Sequence, residues 1–172
     1  QEQAIRDNLW KCVEHISALS ERTGKDLHLG LEPEPLGYFE TSGETVTFFE
    51  KMRTEHPNDM RLNQHLGVNY DTCHLAVEYE EPQDAIGRIC KAGVRISKLH
   101  LSAALKVTPS DDARAQLKKF EEDVYLHQVV ERMPDGTLVR HRDLDAVLPV
   151  ATEAKEWRIH FHIPLPSPDT DW

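Results

Sequence analysis

Cysteine is scarce in this 172-residue chain: Cys12, Cys73 and Cys90 are the only three, and no two lie close together. A disulfide framework or a zinc ribbon needs close pairs, so neither is expected, and a reducing, cytoplasmic setting is the default reading. Long apolar runs are missing as well. None approaches the roughly 20 residues that cross a bilayer, so no membrane partner is expected. Basic charge is also short, with 20 Lys and Arg against 30 Asp and Glu and a formal net charge of −10. Phosphate backbones call for clustered Lys and Arg, so nucleic acid is not an expected partner. No glycine-rich phosphate loop comes after the first strand, which weakens a nucleotide-binding reading. The remaining balance, 39% hydrophobic and 29% charged residues, fits a soluble globular protein. What the chain does have in surplus is histidine: ten, several at the ends of apolar runs.

Periodicity organises the chain as alternating helices and strands. Ile5, Leu9, Cys12, Val13, Ile16 and Leu19 recur at helical spacing from the first residues, and Gly24 is placed to stop that helix. The pattern is already running at Gln1 with no cap before it, so a fragment or a processed chain is expected. A strand over 27–32 comes next and ends before Pro33. Thr41 and Glu44 form a capping box for a helix burying Val46, Phe49 and Met52. A short helical piece at 60–66 leads to a second strand at 67–71. A third helix starts at Pro82 and ends at Gly93, before a third strand over 94–101. Thr108-Pro109 opens a charged helix to about residue 122. Residues 124–130 and 137–141 alternate around Pro134-Asp135-Gly136 as an inserted β-hairpin. Asp143 caps a last helix to about Lys155, and a fourth strand runs over 157–163.

Strands separated by helices imply an α/β protein built from parallel units. Polar residues gather where each strand ends, at Glu32, Asp71, His100 and His162. Active sites of (β/α)8 TIM barrels are assembled from strand ends in this way. A full barrel takes about 250 residues. The expectation is therefore one domain over 1–172, the C-terminal half of a barrel with about four parallel strands and the inserted hairpin. Such a half needs its N-terminal half or a second copy to cover its open strand edges.

Alternation sharpens the site. Leu27, Leu29 and Leu31 share one face of the first strand, which sends His28, Gly30 and Glu32 to the other. Ile159, Phe161 and Ile163 likewise leave His160 and His162 facing inward. Two carboxylates and two or three imidazoles make a mixed oxygen and nitrogen set for a divalent cation, Mn, Zn, Fe or Co rather than Ca. Glu32, Asp71, His100 and His162 are the expected ligands, with Glu32 and His162 also the candidate acid/base pair. His74, three residues beyond Asp71, is placed to converge on the same mouth. Lys98 could bind an anionic group or make a salt bridge inside the barrel. His127 could reach over the site as part of a lid or simply be an exposed hairpin residue. His160, one pleat deeper, is expected to pack or support.

Leu31-Glu32-Pro33, Asp71-Thr72-Cys73-His74 and Lys98-Leu99-His100, in that order at successive strand ends, resemble the xylose-isomerase-like barrels. That superfamily includes sugar epimerases and metal-dependent abasic-site endonucleases. Gly30-Leu31-Glu32-Pro33-Glu34-Pro35, Tyr125-Leu126-His127-Gln128 and His160-Phe161-His162-Ile163-Pro164-Leu165 are more similar to the EboE branch of metabolite-traffic proteins. The resemblance covers nearly the whole chain and implies the last four strands of the barrel. It implies Glu32 as a bridging carboxylate, Asp71 and His100 as further ligands, and His74 as a substrate or metal contact. The activity it implies is a metal-dependent isomerase acting on a small polar metabolite. A non-catalytic carrier and a phosphodiester hydrolase are the alternatives. Sugar epimerases of the superfamily end with a glutamate on the last strand; here that strand offers His162 or His160 and no carboxylate.

Overall fold

The computed structural model describes residues 1–167. Three strands, β1 (Leu29–Leu31), β2 (Leu66–Asp71) and β3 (Arg95–His100), form a parallel sheet in that order. Leu29 pairs with Leu66, and Asp71 pairs with His100 across a register shift at Val68/Asn69. The helices α1 (Glu2–Thr23), α2 (Ser42–Glu55), α3 (Arg61–His65) and α5 (Pro82–Lys91) accompany this sheet. Gly24 ends α1 in the left-handed region at φ 65°, where an L side chain would be strained. The capping box of α2 is complete: Thr41 accepts from the Glu44 N–H, and the Glu44 carboxylate accepts from the Thr41 N–H. Val13, Phe48, Phe49, Met52, Leu62 and Ile89 pack with Leu66, Val68 and Tyr70, while Leu29, Leu31 and Ile96 join from the sheet. The leucine face of β1 thus meets the helices, as alternation requires.

The coarse α/β expectation holds, with three of the expected parallel strands in one sheet; the described residues form no closed barrel, and the expected fourth parallel strand is antiparallel in a separate sheet. The chain stays extended beyond His100, breaks at Leu101, and continues as β4 (Ser102–Val107). β4 pairs antiparallel with β7 (Glu156–Pro164), with Ser102 opposite Pro164 and Val107 opposite Trp157. β5 (Val129–Arg132) and β6 (Leu138–His141) complete a separate sheet in the order β4-β7-β5-β6. The physical reason is that residues 102–107 follow β3 as a strand where a parallel unit needs a helix to cross back, so the last strand pairs with β4 in the antiparallel sense. The helix expected to about residue 122 is only α6 (Asp111–Leu117) and one 3-10 turn, Lys118–Phe120. The last helix, expected from Asp143 to about Lys155, is a single 3-10 turn at Leu144–Ala146, cut short before Pro149. The hairpin is present around Pro134-Asp135-Gly136, with shorter strands than expected.

Trp157, Ile159, Leu105, Val107, Leu117, Val129 and Leu144 make a second core on one face of the antiparallel sheet. On its other face, Cys73 and Val77 of α4 (Thr72–Val77) pack against Val130. Thr72 fastens the two sheets together. Its hydroxyl donates to the His100 and Ser102 carbonyls in turn and accepts from the Ser102 N–H at 3.0 Å, pinning the β3–β4 junction. The tail over 168–172 lies outside the described residues. Among those described, no helix is long and apolar enough to cross a membrane.

One glycine limits how closely the parallel strands approach. A Cβ on Gly67 would lie 2.4 Å from the Arg95 carbonyl oxygen, which is backbone and cannot swing away. Gly67→Ala is expected to cost roughly 1–3 kcal/mol or more through overpacking. Gly87→Ala in α5, where a Cβ meets nothing within 4 Å, should instead gain up to about 1 kcal/mol of helix propensity. Urea unfolding of both variants checks the contrast: similar midpoints would show that β2 and β3 separate easily.

Candidate metal centre

The side chains at the carboxyl ends of β1, β2 and β3 meet those of β7 in an open cleft of about 490 Å³. Its lining includes Glu32, Asp71, His74, His100, His160 and His162, together with Glu34, Leu101 and Ser102. Each side chain arrives by a separate local device. Glu32 comes directly after β1 on the face opposite its leucines, and Pro33 turns the chain immediately afterwards. Asp71 closes β2 and caps α4, its Oδ1 accepting from the Cys73 N–H at 2.8 Å and the His74 N–H at 3.4 Å. That cap leaves Oδ2 facing the cleft, where it lies 3.3 Å from His100 Nδ1 and 3.9 Å from His162 Nδ1. The aspartate side chain is only 2% exposed, so its charge has little water to compensate it.

The centre of the arrangement is His100 Nδ1. Glu32 Oε1 lies 3.1 Å from it and Asp71 Oδ2 3.3 Å, while the Asn69 amide nitrogen sits 3.1 Å away on a third side. Asn69 also donates to Glu32 Oε2 at 2.6 Å, which fixes that carboxylate. Two carboxylate oxygens and one ring nitrogen crowd a single point, where a proton can serve only one pair at a time. Ligand atoms on an ion with bonds of about 2.0–2.2 Å are separated by about 2.8–3.6 Å, depending on geometry. The two separations from His100 Nδ1 fall in that range, and all three ligand atoms lie within 4.8 Å of one another.

The histidine tautomers can be read from their partners. His74 Nδ1 is 3.0 Å from the Pro33 carbonyl oxygen, which only accepts, so Nδ1 carries a proton and Nε2 is the nitrogen left for other partners. His160 Nδ1 donates in the same way to Gln128 Oε1 at 2.6 Å. Burial, helped by the neighbouring His74 and His162, pushes His160 down to about 4, so it is neutral near pH 7. His162 lies 3.0 Å from Ser102 Oγ through Nδ1 and 3.0 Å from His160 Nε2 through its own Nε2.

Among the described residues, three overlapping groups are close enough to hold an ion: Glu32, Asp71 and His100; Asp71, His74 and His162; and Cys73, His160 and His162. The thiol of the last group is a poor ligand. Cys73 is fully buried and donates to the Phe161 carbonyl, and burial together with Asp71 pushes it up to about 12. The four ligands expected from sequence all lie in the cleft, as does His74. Lys98 and His127 do not. Lys98 is exposed on β3, opposite Asn69. The His127 ring packs at a tilt against Phe161 with centroids 4.3 Å apart, and the His127 backbone N–H donates to Asp143, so it is no lid over the cleft.

Sequence reasoning leaves out Asn69, Ser102 and Gln128 and gives His160 only a supporting place. Asn69 has a findable signal, because it shares the parity of Gly67 and Asp71 on β2. Ser102 lines the cleft and Gln128 touches His160 through the antiparallel pairing, for which alternation gives no signal. Two further histidines are structural: His65 is buried against the Leu27 carbonyl, and His141 binds Glu131. No family model, curated protein or solved structure matches the chain.

Proposed function

We propose that the cleft is the site of a metal-dependent isomerase or epimerase-like enzyme acting on a small polar metabolite. The observation that carries this reading is the convergence of Glu32, Asp71 and His100 on one point, with Asn69 holding the glutamate in place. A divalent ion of the Mn, Zn, Fe or Co class would be held by those three side chains, and His162 stands next to Asp71 as a fourth. Such an ion supplies Lewis acidity toward vicinal oxygens. Glu32 is the only one of these ligands whose carboxylate is partly open to the cleft, and it would act as base. The parallel sheet, with helices along one face, supports a barrel-type ancestry. On this reading the unpaired edges of β1 and β3 are where the N-terminal half of a barrel, or a second copy, would join.

A second reading is favoured by a specific feature of β7. It offers imidazoles where a second carboxylate would complete proton exchange, so the cleft could bind the metabolite as a carrier without turning it over. Elemental analysis and solvent exchange decide between them. Purified protein should contain a first-row metal, and His100→Ala should lose most of it. In deuterated water, the enzyme reading predicts deuterium at a carbon beside a hydroxyl of a candidate sugar. Thermal stabilisation by the sugar with no label incorporated selects the carrier. Unchanged metal content in His100→Ala overturns the site.

A further inference from the structure

We propose that the metabolite taken by the cleft carries a short apolar arm beside its hydroxylated head, and that the arm lies in a separate cavity between α1 and the loop after β1. The inference rests on the metal-site reading and adds to it the class of substrate.

The cavity measures about 270 Å³, and its walls are Ile5 and Leu9 of α1, Leu31 of β1, and Tyr38, Phe39 and Phe48. Glu32 and Glu34 line it as well, and the same two residues line the metal cleft. The two spaces therefore share a rim at the end of β1, which is an edge strand of the parallel sheet. A molecule held by its oxygens at Glu32 and Asp71 has this apolar wall beside it.

The wall is set before any ligand arrives. The Phe39 and Phe48 ring centroids lie 5.2 Å apart, and Tyr38 meets the two edge-on at 6.1 and 5.7 Å. The loop that carries Tyr38 is held by the Glu40 carboxylate, which accepts from the Leu36 N–H at 2.6 Å, and by the Gly37 N–H, which donates to the Glu34 carbonyl at 2.9 Å. Leu9 and Leu31 pack on the first core yet stay partly exposed, and Tyr38 is half-exposed, so an arm lying here takes apolar surface out of water. Apolar and aromatic walls beside a few placed polar groups are the usual lining of small-molecule sites. Neither lining contains Lys or Arg, so no side-chain cation is there to pair with an anionic head.

The test is calorimetric binding of methyl, propyl, butyl and hexyl β-D-glucoside to the Co²⁺-loaded chain and to its variants Ile5→Trp and Leu9→Trp, each of which fills the cavity from α1. In the parent, affinity should rise along the series, about fourfold for each CH₂ fully buried and less for one partly covered. Both variants should bind Co²⁺ and the methyl glucoside as the parent does and lose most of the rise. Circular dichroism checks that each is folded, and Ile5, which is partly exposed near the start of α1, is the safer position. No binding or no rise in the parent, or the same rise in both variants, overturns the proposal. The same rise with a changed oligomeric state would give the groove to a second copy. His100→Ala separates this inference from the metal site. If it keeps its Co²⁺ while the filled variants lose the rise, the cavity stands and the metal site falls. If it loses its Co²⁺ and the parent shows no rise, the metal site stands and the arm falls.

Discussion

Asp71→Asn is expected to abolish tight metal binding while leaving the protein folded, and Asp71→Ala to damage both. The two effects separate because the two carboxylate oxygens have different jobs. Oδ1 accepts from the Cys73 and His74 N–H groups and starts α4; Oδ2 faces His100 and His162. An asparagine can keep the acceptor on the capping side, as Asn and Asp are comparable N-caps. It cannot supply the negative charge, and a neutral amide is a poor substitute ligand. The expected loss is at least about 100-fold in affinity, at the upper end of what even supporting residues around a metal give. Removal of the whole side chain should cost about 0.5–2 kcal/mol for the cap and about 1–3 kcal/mol for the buried Cys73 N–H left without a partner, two terms that overlap. The measurement is Zn²⁺ or Co²⁺ affinity beside urea unfolding for both variants. If the asparagine variant binds metal as tightly as the parent, the aspartate is only a helix cap.

The sequence is legible wherever an apolar face has to choose a side. Leu29 and Leu31 can only go to the helices, so Glu32 has to face the other way, and the structure places it so. The same argument places His160 and His162, since Ile159 and Phe161 pack into the second core. What alternation does not encode is strand direction. A strand reading Ile-His-Phe-His-Ile presents the same two faces whether its neighbour runs parallel or antiparallel, so β7 reads as a fourth parallel strand when it belongs to the other sheet. Residues 102–107 carry a strand signal of their own, the alternation of Leu105 and Val107 that marks β4, but a parallel unit calls for a helix at that point. The region after Asp143 reads as helical because Leu144, Val147 and Leu148 have helical spacing; Pro149 ends that pattern almost at once. The tandem of Gln128 with His160 depends on β5 lying beside β7, a contact between residues 32 positions apart.

Trp157→Ala is the substitution expected to cost most stability, and its effect should reach the cleft. Trp157 is the largest fully buried side chain among the described residues, in the second core. Its indole N–H donates to Glu131 Oε1 at 2.6 Å, and the Arg114 guanidinium lies 5.1 Å from the ring. Glu131 takes His141 on its other oxygen at 2.9 Å. Burial alone would raise the Glu131 carboxyl, but hydrogen bonds from His141 and Trp157 outweigh it and hold the group below the usual range. Truncation to alanine therefore removes packing and also unbalances a buried carboxylate. A cost of about 3–5 kcal/mol is expected, a fall in Tm of roughly 6–20 °C for a chain of this size. Trp157→Phe keeps most of the volume and drops only the N–H, so about 1–3 kcal/mol is expected. Because Trp157 lies on the strand that carries His160 and His162, the alanine variant should also bind less Co²⁺ in the cleft, where His162 stands beside Asp71. Thermal unfolding beside Co²⁺ stoichiometry reads both effects. Were Trp157→Ala as stable as the parent, the antiparallel sheet would not be held by this core, and the placement of the two histidines above it would need another cause.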